Sequence, residues 1–423
     1  MKIIQKSFYY LIAFILLYID GIGNDEGGIT IGQIWKVPVL LYLACKIIPS
    51  LKINFIKYRL FYAISKLFNA DSMNNLFRNL TSNVLKFTAL PLFLGYINKY
   101  IDYKKAMKYG LFIAQVIIIS FIPFWLGLID ERHSYKGATL IGTRALIGPF
   151  NNSHTAAIYL STSLLFLIHY IKITRLRKDI KYFNLFLIFI GCYFLIHTYV
   201  RTGYLMFLIG SFILLFGYKG NWIKTAIYGI IGIAMIIFVS VWMISNDSIL
   251  QRRIYEKTGY NEDEDEISGS GRIYFWITAW QLWYNSKNVS GYLFGHGSSR
   301  LAKAEYLENG LHVGSHNGYL DALAQNGLVG FSLFMLYYIM MIKYMYRYRK
   351  NKHFKLFIAW LLSELAFQSV QGGVFIFYDF MSAIIILLPK LNAKVKDLPQ
   401  EKHNNLLFTF QKLRRSLLSD MRN

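Results

Sequence analysis

The chain has 423 residues, of which 55% are hydrophobic, 17% aromatic and only 16% charged. Soluble domains carry about 25% charged residues, so this composition excludes an ordinary soluble enzyme or binding domain. The net charge of +23 would suit a nucleic-acid-binding protein. The basic residues instead cluster in short segments between apolar runs and in the C-terminal tail, as the positive-inside rule requires of a membrane protein, so no nucleic-acid partner is predicted.

Apolar runs follow one another along the chain, each close to the ~20 residues that one membrane crossing needs. The run at 7–22 follows Lys2 and Lys6 as in a secretory signal, but the polar residues 20–24 offer no small-residue cleavage site, so we interpret it as a retained helix. The others lie near residues 29–48, 84–102, 108–129, 152–171, 182–199, 202–218, 223–245, 327–346, 354–372 and 373–390.

A weaker apolar run at residues 54–70 contains Lys57, Arg59 and Lys66, and the charges of the loops decide how to interpret it. The segments predicted to be cytoplasmic are basic: 99–108, 172–181, 343–355 and the tail after residue 390. Because Lys2 and Lys6 are also predicted inside, the number of crossings must be even. The run is therefore predicted to cross, for about 12 transmembrane helices in all. The alternative is a re-entrant or surface-lying helix, which would place the N-terminus outside.

This topology divides the chain into four parts. Residues 1–245 form transmembrane helices 1–9, and residues 246–326 form one large extracytoplasmic loop with short helices. Residues 327–390 form helices 10–12, and residues 391–423 form a basic cytoplasmic tail. Long loops are usually functional, and basic segments beside a membrane attract anionic lipid headgroups.

Arg201 lies at the predicted outer junction of two apolar runs, within Tyr199-Val200-Arg201-Thr202-Gly203. An arginine within the membrane costs about 2.5–3.5 kcal/mol, so it is rarely placed there without a function. The alternative is a side chain that snorkels from a short hairpin turn to the membrane surface.

Arg272 follows Ser268-Gly269-Ser270-Gly271, a run of small residues that opens a predicted helix with Ser270 as N-cap. A helix N-terminus offers free N–H groups and the positive end of a dipole, which suits a phosphate. An arginine adds donors that match phosphate oxygens in pairs. Ser270, Gly271 and Arg272 are therefore predicted to bind phosphate. The alternative is a flexible linker followed by an ordinary surface arginine.

His316 begins a short predicted helix that stops at Asn326-Gly327, directly before a membrane segment. An imidazole at this position could take the proton of a hydroxyl nucleophile. A lone loop histidine is more often a bystander, but Arg201, Arg272 and His316 all fall on the same predicted side of the membrane.

Two further patterns carry less functional weight. The acidic run at 262–266 contains a D-x-D sequence of the kind that can hold a metal. Five neighbouring acids in a predicted extracytoplasmic segment are more typical of a solvent-exposed surface, so no metal or other cofactor is predicted. Trp276, Trp280 and Trp283 fall on one helical face and are more typical of packing or an interfacial anchor than of a sugar platform.

From about Phe183 to about Leu388 the chain resembles the O-antigen polymerase and O-antigen ligase superfamily, bacterial membrane glycosyltransferases that move glycans from undecaprenyl diphosphate. The most specific motif is the block from His316 to Gly330, which enters a membrane helix after a long outer loop. The other motifs are Val200-Arg201-Thr202-Gly203, Gly271-Arg272 with Trp276, and Leu293-Phe294-Gly295-His296-Gly297.

The resemblance implies an all-α polytopic membrane protein, glycosyltransferase-C-like, with an outer loop above a cavity. It implies that Arg201 and Arg272 hold the lipid diphosphate and that His316 assists the acceptor hydroxyl, with Asn317 and Tyr319 also contacting the substrate. His296 is a further candidate for a catalytic histidine, because relatives usually have small or apolar residues at its position.

The resulting prediction is a polysaccharide polymerase of the bacterial inner membrane, for O-antigen, capsule or exopolysaccharide. It would join undecaprenyl-diphosphate-linked repeat units by inverting, metal-independent transfer at the outer face. The alternatives are an O-antigen ligase, which delivers the finished glycan to lipid A core or another acceptor, and a flippase for lipid-linked glycan. The predicted partners are the lipid-linked oligosaccharide and membrane lipids, with a chain-length regulator as a further candidate.

Overall fold

The computed structural model describes residues 12, 15, 31–47, 54–65, 85–129, 145–150, 152–216, 272–310, 314–370 and 376–396. The predicted helix at 223–245, nearly all of the run at 7–22, the C-terminal tail after residue 396 and residues 246–271 of the outer loop lie outside these residues. Within the described residues the chain forms helices and no strand, which confirms the all-α fold class.

The described part of the chain contains helices at most of the predicted apolar runs. In chain order they are α1 (Ile31–Ile47), α2 (Asn54–Ser65), α3 (Leu85–Tyr100), α4 (Tyr103–Ile119), α5 (Ile122–Trp125), α6 (Ser153–Ile173), α7 (Lys178–His197), α8 (Arg201–Phe216), α9 (Arg272–Tyr284), α10 (Val289–Phe294), α11 (Gly297–Asn309), α12 (Gly318–Tyr346), α13 (Phe354–Val370) and α14 (Ile376–Lys396).

Several of these helices are long and apolar enough to cross a membrane. Four meet both criteria within the described residues: Tyr103–Trp125, Ser153–Ile173, Lys178–His197 and Gly318–Tyr346. Shorter apolar stretches lie in α1 and α8. The chain is therefore a multi-pass membrane protein, while the number of about 12 crossings stays a prediction.

Helix α6 lies at the centre of the bundle, where it packs against α4, α7, α8, α13 and α14. Its buried face includes small residues such as Ala156, Ala157, Ser161 and Ser163. Small side chains let helix backbones approach closely, and close packing is a main source of helix association inside a membrane.

One end of the bundle carries the segments that the topology predicts to be extracytoplasmic, and we call it the outer end. There the Asn317 side-chain amide donates a hydrogen bond to the Ser369 carbonyl at 3.0 Å. The Leu146 N–H donates to the His197 carbonyl at 2.9 Å. These contacts join segments that are distant in sequence, as expected if the chain returns repeatedly to the same side.

The opposite end, which we call the inner end, carries the basic loops. Lys390 donates to the Asn98 side-chain carbonyl at 2.7 Å, and the Tyr103 hydroxyl lies 3.0 Å from Nε2 of His353. Exposed basic side chains at this end include Lys99, Lys104, Lys105, Arg175, Arg177, Lys178, Arg347, Arg349 and Lys350. The basic loops thus lie at one end of the bundle and the predicted extracytoplasmic segments at the other, which agrees with the topology predicted from the loop charges.

Helix α2, the weak run of the sequence, runs along α12 in the opposite direction. The ring of Phe55 lies 5.4 Å from that of Tyr344, and the ring of Tyr62 lies 5.3 Å from that of Phe334. The two contacts lie about 15 Å apart along the axis of α12, because Phe334 and Tyr344 are ten residues apart on that helix. This placement favours a crossing segment over a helix that lies flat on the membrane surface.

The topology predicts opposite accessibility for two exposed lysines, Lys287 near the outer end and Lys350 at the inner end. In a C45A/C192A background, Lys287→Cys should react with an impermeant maleimide in sealed right-side-out vesicles. Lys350→Cys should react only after the vesicles are permeabilised. Equal labelling of both positions in sealed vesicles would contradict the alternation of helix ends.

Candidate functional site

Arg201 is the first residue of α8 and is exposed at the outer end. Two residues later, Gly203 packs against α6, where an added Cβ would lie 2.5 Å from the Cβ of Ala157. The Ser161 hydroxyl also donates to the Gly203 carbonyl at 2.9 Å. The glycine in the Val200-Arg201-Thr202-Gly203 motif thus fixes the N-terminal end of α8 against the centre of the bundle.

Arg272 is the first residue of α9 and is half-buried. Burial lowers the pKa of its guanidinium below the ordinary arginine value, and the positive charge of Arg201 lowers it further. The two predicted phosphate-binding arginines therefore lie close enough for their charges to repel, although they are far apart in sequence.

His316 lies against the first turn of α9. Its ring centroid is 5.7 Å from that of Phe275, which sits one helical turn after Arg272. The backbone of His316 has a positive φ of 54°, and Tyr199, beside Arg201, has a φ of 53°. Non-glycine residues in this conformation are uncommon, and they cluster at functional sites. Among the described residues, these two are the non-glycine positions with positive φ.

Asp321 holds the turn that carries His316. Its Oδ1 accepts hydrogen bonds from the Ser315 N–H at 2.9 Å and from the Ser315 hydroxyl at 2.8 Å. The Ser315 hydroxyl is also 3.0 Å from the Asn317 carbonyl. The residue pattern indicates no role for Asp321, and the structure identifies it as a residue that positions the turn.

Asn317 and Tyr319 have polar partners within the protein. Oδ1 of Asn317 caps α12 by accepting from the Tyr319 and Leu320 N–H groups, at 3.0 and 3.2 Å. The Tyr319 hydroxyl donates to the Leu365 carbonyl at 3.1 Å, and Asn317 binds Ser369 of the same helix, α13. These bonds tie the His316 turn to α13. Direct contact of either residue with substrate stays a prediction.

The Gly295-His296-Gly297 motif packs against a bend in α12. Gly295 and Gly327 have positive φ values of 75° and 61°, and a Cβ on Gly295 would lie 2.5 Å from the Gly327 nitrogen. The His296 N–H donates to the Ala324 carbonyl at 2.9 Å, and its Nε2 lies 2.6 Å from the Ser286 hydroxyl. The ring of His296 is therefore engaged inside the outer loop.

The prediction of a short helix that stops at Asn326-Gly327, directly before a membrane segment, is confirmed. Gly327 has a φ of 61° and a ψ of −166°, which is not a helical conformation, so α12 consists of two helical pieces joined by a kink at this residue. Glycine tolerates this conformation, and the first piece carries the loop contacts while the second enters the membrane segment.

The remaining sequence predictions concern residues outside the described part of the chain and the tryptophans of α9. Ser270, Gly271 and the acidic run 262–266 lie outside the described residues. The tryptophans of α9 differ in environment: Trp280 is 46% exposed, whereas Nε1 of Trp283 donates to the Tyr292 carbonyl at 3.2 Å. Nε1 of Trp276 is buried and has no acceptor among the described residues. It is an unassigned donor one turn from Arg272.

A group of charged residues in the interior of the bundle was not among the predicted site residues. Arg59 on α2 is 3% exposed, Glu364 on α13 is 6% exposed and Asp379 on α14 is 2% exposed. All three line one cavity. Charged residues within apolar runs are a default signal of function, and this signal was available in the sequence.

Comparison with known proteins identifies one family. Residues 185–335 match the model of the family described as O-Antigen ligase. The match confirms the resemblance to the O-antigen ligase and polymerase superfamily for this part of the chain. It contains Arg201, Arg272 and His316. No curated protein matches the chain.

The contact between Gly295 and Gly327 predicts a large effect of small substitutions. Gly295 and Gly327 have positive φ with ψ values of −170° and −166°, a conformation that is essentially restricted to glycine and costs other residues about 1–3 kcal/mol. Gly295→Ala and Gly327→Ala combine this cost with overpacking of about 1–3 kcal/mol. Both should lower the midpoint of thermal unfolding in detergent. Gly310→Ala is the matched control, because Gly310 has a φ of 72° and nothing within 4 Å of an added Cβ. Equal losses in the three variants would contradict the packing of the outer loop on α12.

Proposed function

We propose, from the match of residues 185–335 to the family described as O-Antigen ligase, that this chain is a polysaccharide polymerase. It joins undecaprenyl-diphosphate-linked repeat units at the outer face of the bacterial inner membrane, in the synthesis of O-antigen, capsule or exopolysaccharide. The transfer is inverting and metal-independent. The catalytic residues are Arg201, Arg272 and His316.

The observation that carries this proposal is the pair of arginines at the starts of two helices. Arg201 begins α8 and Arg272 begins α9, and the charge of one acts on the other. Two guanidinium groups with two positive dipole ends form a site for a doubly phosphorylated anion. A lipid diphosphate is the anion of this kind that is available at the outer face of the membrane.

The reaction follows from this arrangement. An acceptor hydroxyl oxygen attacks the anomeric carbon of the lipid-linked glycan, and the bond between that carbon and the diphosphate oxygen breaks. The electron pair of this bond leaves with the diphosphate, whose growing charge the two arginines stabilise. His316 takes the hydroxyl proton. Attack opposite to the leaving group inverts the anomeric configuration.

Polymerase and ligase differ in acceptor rather than in this chemistry. The experiment that separates them is the reaction of the purified protein with lipid-linked repeat units, resolved on a gel. A ladder of products in the presence of a metal chelator supports a metal-independent polymerase. A single product formed only when lipid A core or another acceptor is added supports the ligase.

Transport of a lipid-linked glycan is the second candidate. The observation in its favour is the charged group of Arg59, Glu364 and Asp379 in the interior of the bundle, since transporters place charges at mid-depth. The cavity between them has a volume of about 10 Å³, far too small for a sugar. Absence of any transfer product, with movement of lipid-linked glycan across reconstituted vesicles, would favour transport over transfer.

Arg272→Ala should lower kcat by about 100- to 1000-fold, because one donor to the developing diphosphate charge is lost. Arg201→Ala should act in the same direction, and the double variant should lose less than the product of the two factors, because both groups serve one anion. The measurement is polymer formation by purified variants. Arg300→Ala, on α11 and exposed, is the control for loss of one positive charge. A fully active Arg272→Ala variant would remove the diphosphate site.

His316→Ala should lower kcat by about 100- to 10,000-fold, the usual contribution of a general base, while binding of the lipid-linked donor is retained. His296→Ala is the matched control, because its ring is bonded to Ser286 and lies in the same loop. Single-turnover assays with each variant measure the effect. If His296→Ala lost the chemical step while His316→Ala stayed active, the general base would be His296 and not His316.

A further inference from the structure

Arg59, Glu364 and Asp379 form a charged cluster inside the membrane bundle, outside the candidate site. They come from three helices, α2, α13 and α14, and each is more than nine-tenths buried. With Leu90, Tyr337, Tyr338, Trp360 and Tyr378 they line one cavity. Charged side chains in such surroundings are costly and mark functional positions.

The positive member of the cluster lies among aromatic rings. The Arg59 guanidinium is 5.1 Å from the ring centroid of Tyr337 and 5.9 Å from those of Tyr62 and Phe334. Cation–π contacts of this kind favour the charged guanidinium in a desolvated site. Arginine also keeps its proton in proteins, so the cluster contains one fixed positive charge.

Glu364 is held by hydrogen bonds from its surroundings. The Tyr378 hydroxyl donates to its Oε2, and the Gln368 amide donates to its Oε1 at 2.9 Å. Tyr378 in turn accepts from the Trp360 indole N–H at 3.1 Å. These bonds fix the carboxyl group in place against the cavity.

Asp379 is held differently. Its Oδ2 is buried and has no hydrogen-bond partner among the described residues, and the same is true of the Tyr337 hydroxyl. Both residues line the cavity, whose volume is about 10 Å³. A buried carboxylate oxygen without a partner is costly unless it is neutralised or bound. Of the two acids at the cavity, Glu364 therefore has a hydrogen-bond donor at each carboxyl oxygen, whereas Asp379 has an oxygen without a partner among the described residues.

The charges of the cluster do not balance. Two ionised carboxyl groups and one guanidinium leave an excess of one negative charge at the cavity. Among the residues that the structure describes, the other titratable groups that line it are tyrosines, which are neutral at ordinary pH. One additional positive charge is needed. An alkali cation would need several oxygen ligands in a space that suits about one water, and it would lie beside the Arg59 guanidinium.

We propose that this cluster is a proton-binding site, in which Glu364 and Asp379 together hold one proton and share the single counter-charge of Arg59. The site is separate from the proposed glycosyl transfer and does not depend on it. Its nearest connection is through Gln368, which binds Glu364 and neighbours Ser369, the partner of Asn317 in the His316 turn. Gain or loss of the proton therefore acts on the helix that positions this turn.

Infrared spectroscopy of the purified protein at neutral pH, in a detergent without ester groups, tests this proposal directly. The wild type should show the carbonyl-stretch band of a protonated carboxylic acid, with a downshift after exchange into D₂O. Glu364→Gln and Asp379→Asn should each abolish the band, because the remaining carboxylate pairs with Arg59. Arg59→Gln should raise its intensity about twofold, since both acids are then protonated. Glu308→Gln, an exposed acid, is the control and should leave the band unchanged.

The measurement on the wild type decides the proposal even where a variant fails to fold. Absence of the band at neutral pH would mean that both acids are ionised, and it would overturn the proposal. A band that persists in both single acid variants would place the proton elsewhere, with the same consequence. A band that appears only after both sodium and potassium are removed would identify an alkali cation as the occupant and would also overturn it.

Discussion

The proximity of two positive charges is the physical constraint on which the proposed function of this protein depends. Arg201 and Arg272 begin two different helices, and the pKa of the Arg272 guanidinium is lowered by burial and, in addition, by the charge of Arg201. Such a pair costs free energy in the unliganded protein, and a bound anion removes this cost. An anion that carries two phosphates matches the pair better than a single carboxylate does. The repulsion is thus a reason to propose a lipid diphosphate as the ligand.

The rest of the described fold keeps these charges and His316 in place. Gly203 fixes the start of α8 on α6, and the Asp321 carboxylate holds the turn of His316. The outer loop packs on the bend at Gly327, and α13 binds the cap of α12 through Ser369. The same helix carries Glu364 in the interior. One helix therefore connects the outer end of the bundle with a charged cluster in the membrane.

The helix class, most helix positions and the matched family were predictable, because apolar runs of membrane length and short motifs are local signals. The role of Asp321 was not, since its hydrogen bonds to Ser315 depend on a turn that the residue pattern does not specify. Arg59 was interpreted as an interruption of a weak helix, yet in the structure it lines one cavity with Glu364 of α13 and Asp379 of α14. Partners so distant in sequence become visible only when the helices pack.

The most direct test of the diphosphate site is a double-mutant cycle on binding of undecaprenyl diphosphate to the purified protein. The dissociation constant is measured for the wild type, Arg201→Ala, Arg272→Ala and the double variant. If both arginines hold one anion, the single losses are not additive, with a coupling free energy of about 0.5–3 kcal/mol. Strictly additive losses, or an unchanged dissociation constant in either single variant, would contradict a shared site.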